Sequence, residues 1–257
     1  MTALTHALTF ALIPAGVALL GTLIATVRTP SPQVRTYVEH FAAGVVAAVA
    51  AAELLPAALH VRSALAVAVG FGLGTVVMLV IAHLSEGAEE AEEHDDGVGV
   101  PALPGRAGDA LAKGSPLAMV MPVAVDVAID GFLLGLAFVA GQKAGILLAL
   151  GFALEMLSLG LATCATCRRY GWSVTRTLAS MVGVGACFVA GAAISAGLFG
   201  GLSGVWLAGV ISFGLAALLY LVTEELLVEA HEVKETHPAT AMFFVGFLVL
   251  ILIEVLS

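Results

Sequence analysis

The chain has 257 residues, of which 60% are hydrophobic and only 11% charged, less than half the charged share of about 25% in an ordinary soluble domain. Its net charge of −9 has the wrong sign for a nucleic-acid partner. Together these exclude a soluble nucleic-acid binder and point to a chain that lives in a bilayer.

Eight apolar segments are long enough to span a membrane, each near the roughly 20 residues a helix needs: 5–27, 36–59, 64–84, 116–140, 144–166, 175–199, 203–228 and 238–256. Barrel strands would be shorter and strictly alternating, so the spacing predicts an all-α bundle in one membrane domain, 1–257. The 29 glycines, many inside the segments, predict close helix packing. Segment 1 lacks a basic leader and a small-residue cleavage site, and reads as a span rather than a signal peptide. Eight of the ten Lys and Arg fall in the links after odd segments; only Arg62 and Lys143 fall in the others. The positive-inside rule then places both termini outside the cell membrane and the long polar stretch 85–115 in the cytoplasm.

Taken along the chain, several segments carry acids at membrane depth. Segment 2 has Glu53, followed by Leu54, Leu55 and Pro56. The 85–115 link collects Glu86, Glu89, Glu90, Glu92, Glu93, Asp95 and Asp96 beside His94, a composition expected of a solvated acidic linker. Segment 4 has Asp126 and Asp130, four residues apart and so on one helical face, with Pro122 one turn before them. Segment 5 has Glu155, with Ser158 on the same face. Cys164 and Cys167 form a C-x-x-C pair at its end, lacking the His or second Cys pair that a zinc site requires. Segment 7 has Glu224 and Glu225. No Lys or Arg interrupts these stretches, so the acids must stay protonated, face water or bind something positive. From the span boundaries, Asp126 and Glu155 fall near the midplane, Asp130 and Glu53 toward the outer face, and Glu225 toward the cytoplasm. All seven histidines fall near predicted helix ends or in links. No zinc-protease, Ser/His or phosphate-loop motif occurs, and an enzyme is not expected.

The run Glu53 to His60 is echoed by Glu225 to His231 in a segment of opposite direction, the pattern of an inverted repeat in secondary transporters. At this point the sequence resembles the ZIP family of metal-ion transporters. Phe41-Ala42-Ala43-Gly44 followed by Glu53-Leu54-Leu55-Pro56 is similar to the family's second helix, which often ends His-Leu-Leu-Pro. Gly214 to Tyr220 with Glu225 to His231 is similar to its seventh, and Asp130-Gly131 with Gly135 to its fourth. The resemblance implies an eight-helix inverted-repeat bundle that transports divalent metal cations. It also shows departures: Asp126 stands where the family has His, Val127 and Ile129 replace its Asn and Pro, Leu159 replaces an acid, and 175–199 has no carboxylate. The remaining ligands, Asp126, Asp130, Glu155, Glu53, Glu225 and Ser158, suit one ion held mainly by oxygen, so Mn, Fe or Zn is the expected substrate and no organic cofactor is implied. The expected partners are metal cations, lipid and, in a homodimer, a second copy of the chain; the sequence does not fix the oligomeric state. Two other readings share these features: a carrier of protons or small cationic solutes on the same fold, and a metal sensor or receptor that does not transport.

Overall fold

A computed structural model describes residues 2–27, 31–93, 116–169, 171–226 and 237–256, with side chains described at all of these except 32, 84–93, 116–121, 169 and 225–226. Among the described residues there is helix and no strand, and eight helices are long and apolar enough to cross a membrane. The protein is an all-α polytopic membrane protein.

The helices are α1 (Ala3–Val27), α2, α3 (Ala64–Glu93), α4 (Pro116–Ala140), α5 (Gln142–Arg169), α6 (Val174–Phe199), α7 and α8 (His237–Leu256). Helix α2 comprises Pro32–Val49, a π turn at Ala50–Leu54 and a last α-turn Leu55–Leu59. Helix α7 comprises Gly204–Tyr220 and a π turn at Leu221–Leu226. Local chemistry sets the ends. Ser31 caps α2, accepting from the Val34 N–H, with Pro32 at the first helical position. Ser173 caps α6 in the same way, accepting from Arg176 N–H. Gly171, at φ +71°, makes the α5–α6 turn, a backbone conformation that glycine adopts at no steric cost. Arg168 donates from Nη1 to the carbonyls of Ala25 and Thr26 at the end of α1, where a cation also suits the helix dipole.

Two of the expected boundaries differ by four residues or more. Helix α3 continues to Glu93, so the first nine residues of the predicted 85–115 link are helical, while 94–115 lies outside the described residues. Helix α2 starts at Pro32 rather than 36 because Ser31 and Pro32 form an N-terminal stop that hydropathy alone does not register.

In lipid, apolar side chains gain little by leaving the surface, and helices associate where small residues let their backbones approach. Four tight pairs arise this way. A side chain at Gly131 of α4 would meet the Phe188 carbonyl of α6, and one at Gly191 of α6 would meet the Ala128 carbonyl of α4. Gly21 and Gly160 make the same reciprocal contact between α1 and α5, and Gly44 and Gly246 between α2 and α8. Gly70 and Gly74 seat α3 on α7. The pairs α1–α5 and α4–α6, tied by α1–α6 and α4–α5, form one group of helices; α2–α8 and α3–α7 form the other. The groups meet chiefly along α2–α5 and α4–α7. Exchanging α1 with α6, α2 with α7, α3 with α8 and α4 with α5 maps this set of pairings onto itself. The two π turns fall on exchanged helices, at the two copies of the Glu-Leu-Leu motif. Helices α3 and α8 are the least enclosed, and Leu65, Leu73, Leu79, Phe244, Leu248 and Leu252 on them are exposed, as a lipid-facing surface requires.

Candidate functional site

Helix α4 carries Asp126 and Asp130 one turn apart. Asp130 has no exposed surface, and Asp126 is half-buried. Gly131 causes this: it brings α4 against the backbone of α6, which draws the neighbouring Asp130 into the interior. The Phe188 whose carbonyl Gly131 faces also packs its ring edge-on against Phe152 of α5, with centroids 5.8 Å apart. Glu155, half-buried, lies three residues beyond Phe152, so Asp130 and Glu155 differ in depth by about one helical turn.

Ser158 is buried, and its hydroxyl donates to Glu39 Oε1 of α2 at 2.7 Å. The same oxygen accepts from Arg35 Nε at 2.8 Å. Ser158 therefore serves a carboxylate of the facing helix. Its spacing groups it with Glu155 on one face of α5, and only the packing of α2 against that face gives it Glu39 as its partner. The Glu39–Ser158 contact and the packing of Val46 on Gly151 fix an antiparallel register between α2 and α5. That register puts Glu155 between the two levels, one turn from Glu39 and its neighbour His40.

Glu39 and His40 are buried, at 5% and 2% exposure. Sequence reasoning missed both, and His40 corrects the placement of all histidines near helix ends. With α2 starting at Pro32, His40 lies more than two turns inside it. The available signal was the Ser31-Pro32 cap, which would have moved the boundary. His40 Nδ1 lies 2.9 Å from the Thr36 carbonyl. A carbonyl only accepts, so Nδ1 is the donor in this contact.

Glu53 belongs to a different place. Lys143 Nζ, near the start of α5, lies 2.7 Å from Glu254 Oε1 of α8 and 3.8 Å from Glu53 Oε1 of the α2 π turn. This overturns the expectation that the acids have no counter-charge in reach. Linear sequence puts Lys143 in a link and Glu254 at a span end, and only the packing of α2, α5 and α8 joins them. Glu53, held by an ammonium, is removed from the central group. Arg35 likewise turns out to sit on α2 as the partner of Glu39.

Glu224 is exposed; the side chain of Glu225 lies outside the described residues, as do Glu229 and His231. Cys164 and Cys167 are buried free thiols. Helix α4 runs through Pro122 without a break. Among the described residues no three His, Cys, Asp or Glu side chains gather into a group that could hold a metal ion. Asp130 on α4, Glu155 on α5, and Glu39 with His40 on α2 form a stepped series, each about one helical turn in depth from the next. No family model matches the chain, and no curated protein matches it.

Proposed function

We propose that the protein is a ZIP-like transporter of divalent metal cations in the cell membrane, oriented with both termini outside. Asp126, Asp130 and Glu155 supply oxygen ligands to the cargo, and Glu39 and His40 lie on α2 about one turn in depth from Glu155. The observation that carries this reading is Asp130: a carboxylate with no exposed surface inside a membrane-spanning helix, within about one turn of the depth of Glu155. Ionisable groups at such a depth are costly, and they belong to ion pathways more readily than to packing. A hard, oxygen-rich donor set favours Mn(II) or Fe(II), and one imidazole keeps Zn(II) within range. Asp126, Asp130 and Glu155 lie on α4 and α5 of one group, and Glu39 and His40 on α2 of the other, so movement of one group against the other would open and close the path beside these acids, as alternating access demands.

Uptake of Mn(II), Fe(II) and Zn(II) into proteoliposomes tests the reading. Metal accumulation that depends on Asp130 is the expected result. Proton flux without metal uptake would establish the proton-carrier alternative, and metal binding without flux the sensor alternative.

A further inference from the structure

Lys143 is the second residue of α5, where the positive end of the helix dipole disfavours a cation. Its position is therefore not explained by helix stability. Its ammonium instead reaches out of its own group of helices and contacts Glu254 of α8 and Glu53 of α2, both in the other group. Those two carboxyl groups also share a side-chain hydrogen bond with each other. All three side chains are partly shielded, at 43% exposure for Lys143, 30% for Glu254 and 17% for Glu53, so their attraction is less damped by solvent than that of a fully exposed pair. Glu53 sits in the π turn, a local widening of the helix that recurs at functional positions.

The covalent connection gives this contact reach. Only Gly141 separates the end of α4 at Ala140 from the start of α5 at Gln142. Holding the start of α5 therefore also holds the end of α4, the helix of Asp126 and Asp130. At the other end of the same α2–α5 seam, Glu39 receives Ser158. Between these two polar contacts Val46 packs against Gly151.

We infer that Lys143 is a latch that ties the α4–α5 hairpin to α2 and α8 at the end of the bundle bearing the chain termini, and that releasing it opens the α2–α5 seam. This goes beyond the cargo assignment and is tested without transport, so failure of one leaves the other standing. Ala144, beside Lys143 and 2% exposed, is replaced by Cys as a reporter, with Cys164, Cys167 and Cys187 changed to Ala. Purified protein in nanodiscs, where both faces meet the reagent, is labelled with a hydrophilic maleimide. Lys143→Gln should label about fivefold faster, the population shift that one partly shielded ion pair supports. Glu254→Gln should move the rate in the same direction, and Lys143→Glu combined with Glu254→Lys should restore it to within about twofold of the parent rate, because the reversed pair still attracts. If Lys143→Gln fails to elute as folded protein, the comparison passes to Glu254→Gln and the reversed pair. Parent-like labelling of the single variants, or a reversed pair as fast as the singles, would overturn the latch.

Discussion

At the scale of single residues, the central question is what buried acids do in an apolar bundle. A lone carboxylate there is expensive, and the protein surrounds each with specific company. Glu39 has Arg35 and Ser158, Glu53 has Lys143, and Asp130 is drawn inward by the close approach at Gly131. If Asp130 binds the cargo, Asp130→Asn keeps its shape and removes its charge. Metal uptake should then fall about 10- to 100-fold, the scale of one charged contact worth about 1.5–3 kcal/mol, while yield and elution profile stay those of the parent. Unchanged uptake would remove Asp130 from the pathway. Selectivity gives a second test at this scale. Asp126→His adds a nitrogen donor near a set that is otherwise mostly oxygen, so competition assays should show preference shifting from Mn(II) toward Zn(II). A shift the other way would contradict the ligand assignment.

Helices are the next scale, and here glycine and the π turns decide. Gly131→Val must push the α6 backbone away and should destabilise the protein by about 1–3 kcal/mol, as overpacking does. Gly183→Val, on α6 where nothing lies within 4 Å of an added Cβ, should stay within about 0.5 kcal/mol of the parent. Unfolding in mixed micelles measures both, and equal losses would disprove the close-approach account. The π turn of α2 holds one residue more per hydrogen-bonded turn than the α-helix around it. Deleting Ala51 inside it should return the stretch to α-helix and preserve the facing of residues on either side. Deleting Ala47, in the regular part, turns everything beyond it by about 100° and carries Glu53 away from Lys143. The first variant should therefore purify as folded protein at a far higher yield than the second; similar yields would show that the π turn does not absorb the deletion.

At the scale of the molecule, the eight candidate spans among the described residues are even in number, and the proposed orientation, with both termini outside, rests on the excess of Lys and Arg in the links after odd helices. Epitope tags at either end should be reached by antibody on intact cells, and a tag within 94–115 only after permeabilisation. Labelling of the 94–115 tag on intact cells would invert the topology. The pairing of helices adds what topology cannot: two groups meeting along seams at α2–α5 and α4–α7, with α5 making the polar contacts Glu39–Ser158 and Lys143 with Glu53 and Glu254 between them.

The sequence by itself determined the number of spans, their approximate limits and the presence of acids within them, because lipid forces each crossing to be a long apolar helix and makes every ionisable residue conspicuous. It also held the echo between Glu53-Leu54-Leu55 and Glu225-Leu226-Leu227, where both π turns form. It did not reveal that His40 and Glu39 are buried, since that depends on a capped helix start one turn earlier and on α5 lying alongside. Nor did it separate Glu53 from the central acids. Lys143, Glu53 and Glu254 are far apart in the chain, and their meeting depends on the depth and rotation of three helices. Those are set by glycine-to-backbone contacts, which carry no periodic signal strong enough to read along a single segment.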